Sequence, residues 1–150
     1  MITVEVVTLI PATPDEVFDL ELDADVHAAS MAASGETATT STGRAALRLG
    51  DEVTFTARHF RLTWRMTGRV TEYDRPHRFV DEQVRGPFRR MRHEHLFEPL
   101  SGGTTRMTDR IRFDAPLGPV GAVVGRLVLA PYLRSLLEQR AAHIRALTGR

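Results

Sequence analysis

The stretch Arg78–Pro116, "RFVDEQVRGPFRRMRHEHLFEPLSGGTTRMTDRIRFDAP", decides the fold because it reads as three β-strands in series, interrupted only at "GPF" and "SGG". Side chains in a strand alternate between faces, so Met91, His93, His95 and Phe97 share one face while Arg90, Arg92, Glu94, Leu96 and Glu98 share the other. The first face is apolar apart from its two histidines. By the same rule Met107, Asp109, Ile111 and Phe113 share a face of the following strand. Strands joined by connections this short run antiparallel and form a meander.

Loop length sets the register. A three-residue "GPF" loop places Asp81 opposite His93, Phe79 opposite His95 and Gln83 opposite Met91. A four-residue loop reverses that face. If "SGG" keeps parity, His95 comes opposite Asp109 and Phe97 opposite Met107. The apolar face then carries a polar island of Asp81, Gln83, His93, His95 and Asp109, with His59 from an earlier strand nearby. Buried polar groups need partners, and a histidine paired to a carboxylate satisfies both. The island is therefore read in two ways: as an internal network that fixes the sheet register, or as a set of groups that also meets a ligand.

Upstream, "EVTFTARHF" (52–60) alternates with Val53, Phe55, Ala57 and His59 on one face, and "LTWRMTGRV" (62–70) does so with Leu62, Trp64, Met66 and Val70. "ITVEVVTLI" (2–10) is rich in β-branched residues and reads as a first strand. In "TPDEVFDLELD" (13–23), Thr13 as N-cap, Pro14 at the first helical position and acids in the first turn signal a helix. A second short helix is expected from Asp25 to about Ala33. The Ala-, Ser- and Thr-biased segment after it is read as a helix end, Gly35 and a Thr-rich edge strand, not as a linker. Beyond Pro116 the apolar spacing turns helical through Val120, Val123, Val124, Leu127, Leu133, Leu136, Leu137, Ile144 and Leu147. A long helix from Gly121 to about Thr148, kinked near Pro131, is expected to lay Val123, Leu127, Leu136, Leu137 and Ile144 on the concave face of the sheet.

Composition narrows the function classes. The 150 residues suit one domain with a full core. The 20 basic residues are all Arg and stand against 19 acids without forming a run, which gives no footprint for nucleic acid. With no cysteine, disulfides and thiolate metal sites are excluded and a reducing cytoplasm is permitted, so a cytoplasmic location is expected. "MITVEVVTLI" lacks the basic start and small-residue cleavage site of a signal peptide. The tract Val120–Leu133 is broken by Arg126 and falls short of the roughly 20 apolar residues of a transmembrane span. A monomer or homodimer with no transmembrane segment is expected.

The order strand, two helices, six strands and a long final helix resembles the α+β helix-grip fold of the START, Bet v 1 and polyketide cyclase superfamily, known as SRPBCC. The resemblance covers essentially the whole chain, as one domain over 1–150. Its most specific part runs from "RFVDEQV" through "APLGPVG" and is similar to a bacterial branch with cyclase/dehydrase-type labels. Met91 stands where similar sequences often carry an aromatic residue. The resemblance implies a curved antiparallel sheet of six to seven strands wrapped around the C-terminal helix. It also implies a deep apolar cavity that holds a hydrophobic small molecule and, in some members, catalyses cyclisation, dehydration or hydrolysis. No catalytic residues of the known aromatase/cyclases are carried over.

The expected ligand contacts are His59, Trp64, Met66, Asp81, Gln83, Met91, His93, His95, Phe97, Met107, Asp109 and Ile111, methionine being suited to irregular shapes. The leading reading is a carrier, sensor or chaperone for a polyketide- or lipid-like molecule. The alternative is an enzyme in which His93 or His95 acts as general acid or base, oriented by Asp81 or Asp109. A third is a protein-interaction role with a vestigial cavity. No cofactor and no metal are expected: "HEH" resembles half of a cupin metal motif, but the later glycine, proline and histidine spacing is absent. No nucleophile elbow, P-loop or dinucleotide fingerprint is present.

Overall fold

In the computed structural model, which describes residues 1–148, the chain runs β1 (Ile2–Ile10), α1 (Pro14–Glu21), α2 (Ala24–Ser30), a 3₁₀ turn (Ala32–Ser34), β2 (Thr37–Thr40), β3 (Glu52–His59), β4 (Leu62–Asp74), β5 (Arg78–Arg85), β6 (Arg90–Leu100), β7 (Thr104–Asp114), α3 (Gly118–Val124), a π-turn (Gly125–Leu129) and α4 (Ala130–Thr148). Residues 149 and 150 of the expected 1–150 domain lie outside the described residues. The seven strands form one sheet in the order β1-β7-β6-β5-β4-β3-β2, with every ladder antiparallel and the Thr-rich β2 at an edge. This is the helix-grip architecture.

The register follows from parity as expected for the three-residue loop. Asp81 pairs with His93, Phe79 with His95, His95 with Asp109 and Phe97 with Met107. The ladder between β5 and β6 ends at Glu82–Arg92, because Gln83 leaves it to clamp the connecting loop. Its Nε2 donates to Phe88 O at 2.7 Å, and its Oε1 accepts from Phe88 N at 3.3 Å. Two register shifts in the β4–β5 ladder, at Thr67/Gly68 and Val70/Glu72, bend the sheet, since a bulged strand twists more strongly.

The helices cover the concave face unequally. Thr13 caps α1 by accepting from Glu16 N, and Asp23 caps α2 by accepting from Asp25 N and Val26 N, which fixes both helices across one end of the sheet. There Phe18 meets the rings of Phe79 and Phe97 edge-on at 5.2 and 5.3 Å, and Ala141 and Ile144 of α4 close the same cluster. At the other end only the first part of the final helix lies over the sheet. The helix is continuous from Gly118 to Thr148, and the π-turn immediately before Pro131 absorbs the missing N–H that the sequence marks as a kink. The expected packing of Val123 and Leu127 is not found: they are 57% and 73% exposed. Only Leu137, Arg140, Ala141 and Ile144 of α4 are buried, and before Pro131 the helix turns its Gly121 and Gly125 side to the sheet, Gly125 lying against Ile2 and Phe113, so Val123 and Leu127 point to the opposite side.

Candidate functional site

Because α1 and α2 fill only one half of the concave face, the other half is left as a cavity of about 440 Å³ between the sheet and the final helix. That volume lies within the range of sites for drug-sized molecules. The sheet contributes Val53, Phe55, Ala57, Trp64, Met66, Val70, Met91 and Ile111, and the helix contributes Val124, Leu129, Leu133, Leu136 and Leu137. Of the residues expected from the sequence, the cavity wall holds His59, Trp64, Met66, Asp81, Met91, His93 and Ile111.

Gln83, His95, Phe97, Met107 and Asp109 do not line it. Alternation assigns the last four to the concave face correctly, but it does not say which part of that face a helix covers. Phe97 and Met107 lie in the core beneath α1. His95 and Asp109, 0% and 1% exposed, sit under Glu21 of α1 and cannot touch a bound molecule. Gln83 is committed to the loop it clamps.

Beneath the cavity floor the buried groups form one network. His95 Nε2 donates to Asp81 Oδ2 at 2.8 Å, while its Nδ1 lies 3.0 Å from Asp109 Oδ1 and 3.4 Å from Glu21 Oε1. His93 Nε2 lies 3.1 Å from the same Asp109 oxygen, and the two imidazoles stack at 3.7 Å. Arg140 closes the network from α4. Its Nη2 donates to Glu21 O at 2.7 Å, and its Nε lies 2.9 Å from Glu21 Oε2, off the hydrogen-bonding line, as an ion pair.

The charge states follow from this geometry. Burial alone would neutralise His95, but hydrogen bonds to Asp109, Asp81 and Glu21 outweigh it and hold the imidazolium well above its ordinary range. Burial, and then the neighbouring His95 charge, push His93 down, so the stacked pair is one cation and one neutral ring. Burial opposes ionisation of Asp81 and Asp109 too, yet hydrogen bonds from the histidines overcome it and hold both carboxyls below the usual range. Burial pushes the Glu21 carboxyl up.

Asp81 is the point where this network meets the cavity. One carboxylate oxygen is bound by His95, and the side chain, which lines the cavity, remains 26% exposed. Gly68 faces it from β4, with no side chain to cover the second oxygen.

Two polar pairs higher on the wall were not foreseen as such. His27 Nδ1 of α2 lies 2.8 Å from Glu36 Oε2, and the His27 ring stacks on Phe55 at 4.1 Å. Burial raises the Glu36 carboxyl to about 7, and burial with the Arg140 charge pushes His27 well down, so at neutral pH His27 is neutral and Glu36 is about half ionised. Glu36 is the only acid between Asp25 and Asp51, a signal present in the sequence but hidden in a segment that resembles a linker. At the cavity mouth His59 Nδ1 lies 2.5 Å from Tyr132 Oη, and Trp64 Nε1 donates to His59 O at 2.8 Å. Burial lowers His59. Two carboxylate–histidine groups, Asp81–His93–His95 and Glu21–His95–Asp109, have the donor set of a metal site, but every donor that approaches another is already used in the hydrogen bonds above.

A seven-stranded sheet gripping a C-terminal helix over an apolar cavity defines a helix-grip protein. The chain belongs to the family described as polyketide cyclase / dehydrase and lipid transport, whose model matches residues 1–148. No curated protein matches the sequence. Among solved structures, the chain is similar to TTHA0849 from Thermus thermophilus, at 18% identity and TM-score 0.76 over 98% of this chain and 99% of that one. It is similar also to a START superfamily protein from Mycobacterium smegmatis, at 11% identity and TM-score 0.73 over 98% and 97% of the two chains. The major latex-like protein of Panax ginseng aligns at 12% identity and TM-score 0.66 over 99% of each. At these identities the likeness is one of fold.

Proposed function

We propose that the chain is a single ligand-binding domain that holds a hydrophobic or aromatic small molecule, polyketide- or lipid-like, in the cavity between sheet and helix, with a ligand hydroxyl donated to Asp81. The observation that carries this reading is the ionised Asp81 carboxylate. It has one oxygen fixed by His95 and stands in a mostly apolar cavity, an arrangement that rewards a ligand able to supply the missing donor. His93 flanks that position. His95 and Asp109 act through Asp81 and His93 by fixing their orientation and charge.

The test is displacement of the dye Nile red by naphthol and by naphthalene, which differ only in the hydroxyl. A hydrogen bond to a charged acceptor contributes about 1.5–3 kcal/mol, so naphthol should bind roughly tenfold or more tightly. Equal affinities would remove Asp81 as the anchor, and failure of the dye to bind at all would remove the cavity reading.

A second reading is favoured by Glu36. A carboxyl that ionises at about 7, bonded to His27 and facing the cavity, is matched to general acid or base work in a cyclase or dehydratase. In that reading Glu36, Asp81 and His93 are the groups that reach a substrate.

A further inference from the structure

The outer surface around the cavity mouth carries a feature that ligand binding alone does not explain. Phe60, Pro87, Phe88 and Pro116 line the cavity at the end of the sheet where β3 turns into β4, β5 into β6 and β7 into α3. Three segments meet there: 57–66, 84–91 and 115–133. Together they hold seven arginines and none of the chain's 19 acids. Asp114, at the border, is engaged by Arg90 at 2.9 Å. Arg58, Arg61, Arg65, Arg85, Arg89 and Arg126 are exposed, and none of them pairs with a carboxylate among the described residues.

Within this arginine collar the apolar side chains face outward. Leu117, Val120, Val123 and Leu127 on the first turns of the final helix are 79%, 66%, 57% and 73% exposed, and Phe60 and Leu62 at the β3–β4 tip are 50% and 57% exposed. Only 17% of the helix's most apolar stretch is buried. The two groups are held together, since Phe60 packs on Tyr132 at 4.6 Å. The backbone shows the same concentration. Phe60, Arg61 and Leu117, with φ of 54°, 63° and 73°, are the described non-glycine residues in the left-handed region, and all three project from this end. Glycine or asparagine would hold such positions with less strain, so large side chains there are kept at a cost in stability.

We infer that this face is a docking surface for an anionic lipid bilayer, with the apolar tips entering the interface and the arginines meeting headgroup phosphates, which opens the cavity mouth toward the membrane. An exposed apolar helix face flanked by cations is the pattern of interfacial binding. A symmetric second copy fits poorly, because it would set one unpaired arginine collar against another. The inference concerns the outside of the mouth and does not depend on what the cavity holds.

The test is co-sedimentation with vesicles of phosphatidylcholine alone and of phosphatidylcholine mixed with phosphatidylglycerol. Binding is expected to the mixed vesicles only, and to weaken as salt rises. Val123→Glu with Leu127→Glu should abolish it. Arg61→Glu with Arg126→Glu should lower the partition coefficient at least about 25-fold, since each cation near such a surface is worth about fivefold. Leu9→Glu, an exposed change on the outer face of β1, should leave it unaltered. These positions are exposed, and circular dichroism confirms that each variant is folded before it is scored. No binding to mixed vesicles, equal binding to neutral ones, or binding that survives both double variants overturns the inference. So does a concentration-dependent dimer, seen by sedimentation velocity, that Val123→Glu with Leu127→Glu dissolves, because it assigns the face to a second copy.

Discussion

Replacing His95 with alanine removes the cation that touches the buried carboxyl groups of Asp109 and Glu21 and the partly buried one of Asp81. The imidazole has no exposed surface, donates to Asp81 at 2.8 Å and lies 3.0 Å from Asp109 and 3.4 Å from Glu21. Breaking a buried, hydrogen-bonded ion pair from one side costs about 3–5 kcal/mol, because the abandoned charge stays desolvated. Against a typical total of about 5–15 kcal/mol, the variant should be barely folded at room temperature. The loss should depend on pH. His95 is raised in the folded state, so the stabilisation from its proton is complete below the ordinary imidazole value of about 6.5 and disappears as pH rises through the raised folded-state value. The gap between native chain and variant should therefore be widest at about pH 6.5 and just below it, and narrow in alkaline buffer. Urea denaturation of both proteins across that range measures it. A deficit below about 1 kcal/mol at neutral pH, as for an exposed pair, would refute the buried-cation reasoning.

Gly68→Val should block the cavity without unfolding the sheet. A Cβ there meets only Glu82 O at 3.7 Å and Asp81 Oδ1 at 4.0 Å, so the branch extends over Asp81, and dye affinity should fall at least about tenfold with the melting temperature little changed. Ile144→Ala should cost about 2–5 kcal/mol by chemical denaturation, whereas Val123→Ser should stay within about 0.5 kcal/mol, because the first side chain is fully buried and the second 57% exposed. For Glu36, whose folded-state value of about 7 lies above the ordinary 4.5, the neutral form is the one that folding favours. Thermal stability should therefore fall as pH rises through that window, and Glu36→Gln should flatten the decline. An unchanged slope in the variant would place the titration elsewhere.

The β5–β6–β7 meander and its register were legible because period-two alternation and two short turns constrain them, whereas the pairing of β1 with β7 joins the two ends of the chain and no turn reports it. Asp81–His93 and His95–Asp109 follow from parity once the loop length is chosen. Coverage was not legible. The same alternation places Met91 and Met107 on one face, yet Met91 lines the cavity and Met107 lies under α1, a difference set by where Phe18 and Glu21 land. Helical spacing likewise marked Val123 and Leu127 as apolar without saying that Gly121 and Gly125, on the opposite side of the helix, are the residues that meet the sheet. His27 and Glu36 escaped notice for a different reason: their pairing spans nine residues through a helix end and a 3₁₀ turn, and no periodicity reports such a contact.

Native mass spectrometry of the purified chain tests the central claim most directly. A cavity of about 440 Å³ with a charged anchor should retain an organic molecule through gentle purification, so an adduct of drug-like mass is expected on the native chain and should be absent from Gly68→Val. A bare protein mass, together with no uptake of naphthol or Nile red added in excess, would contradict it.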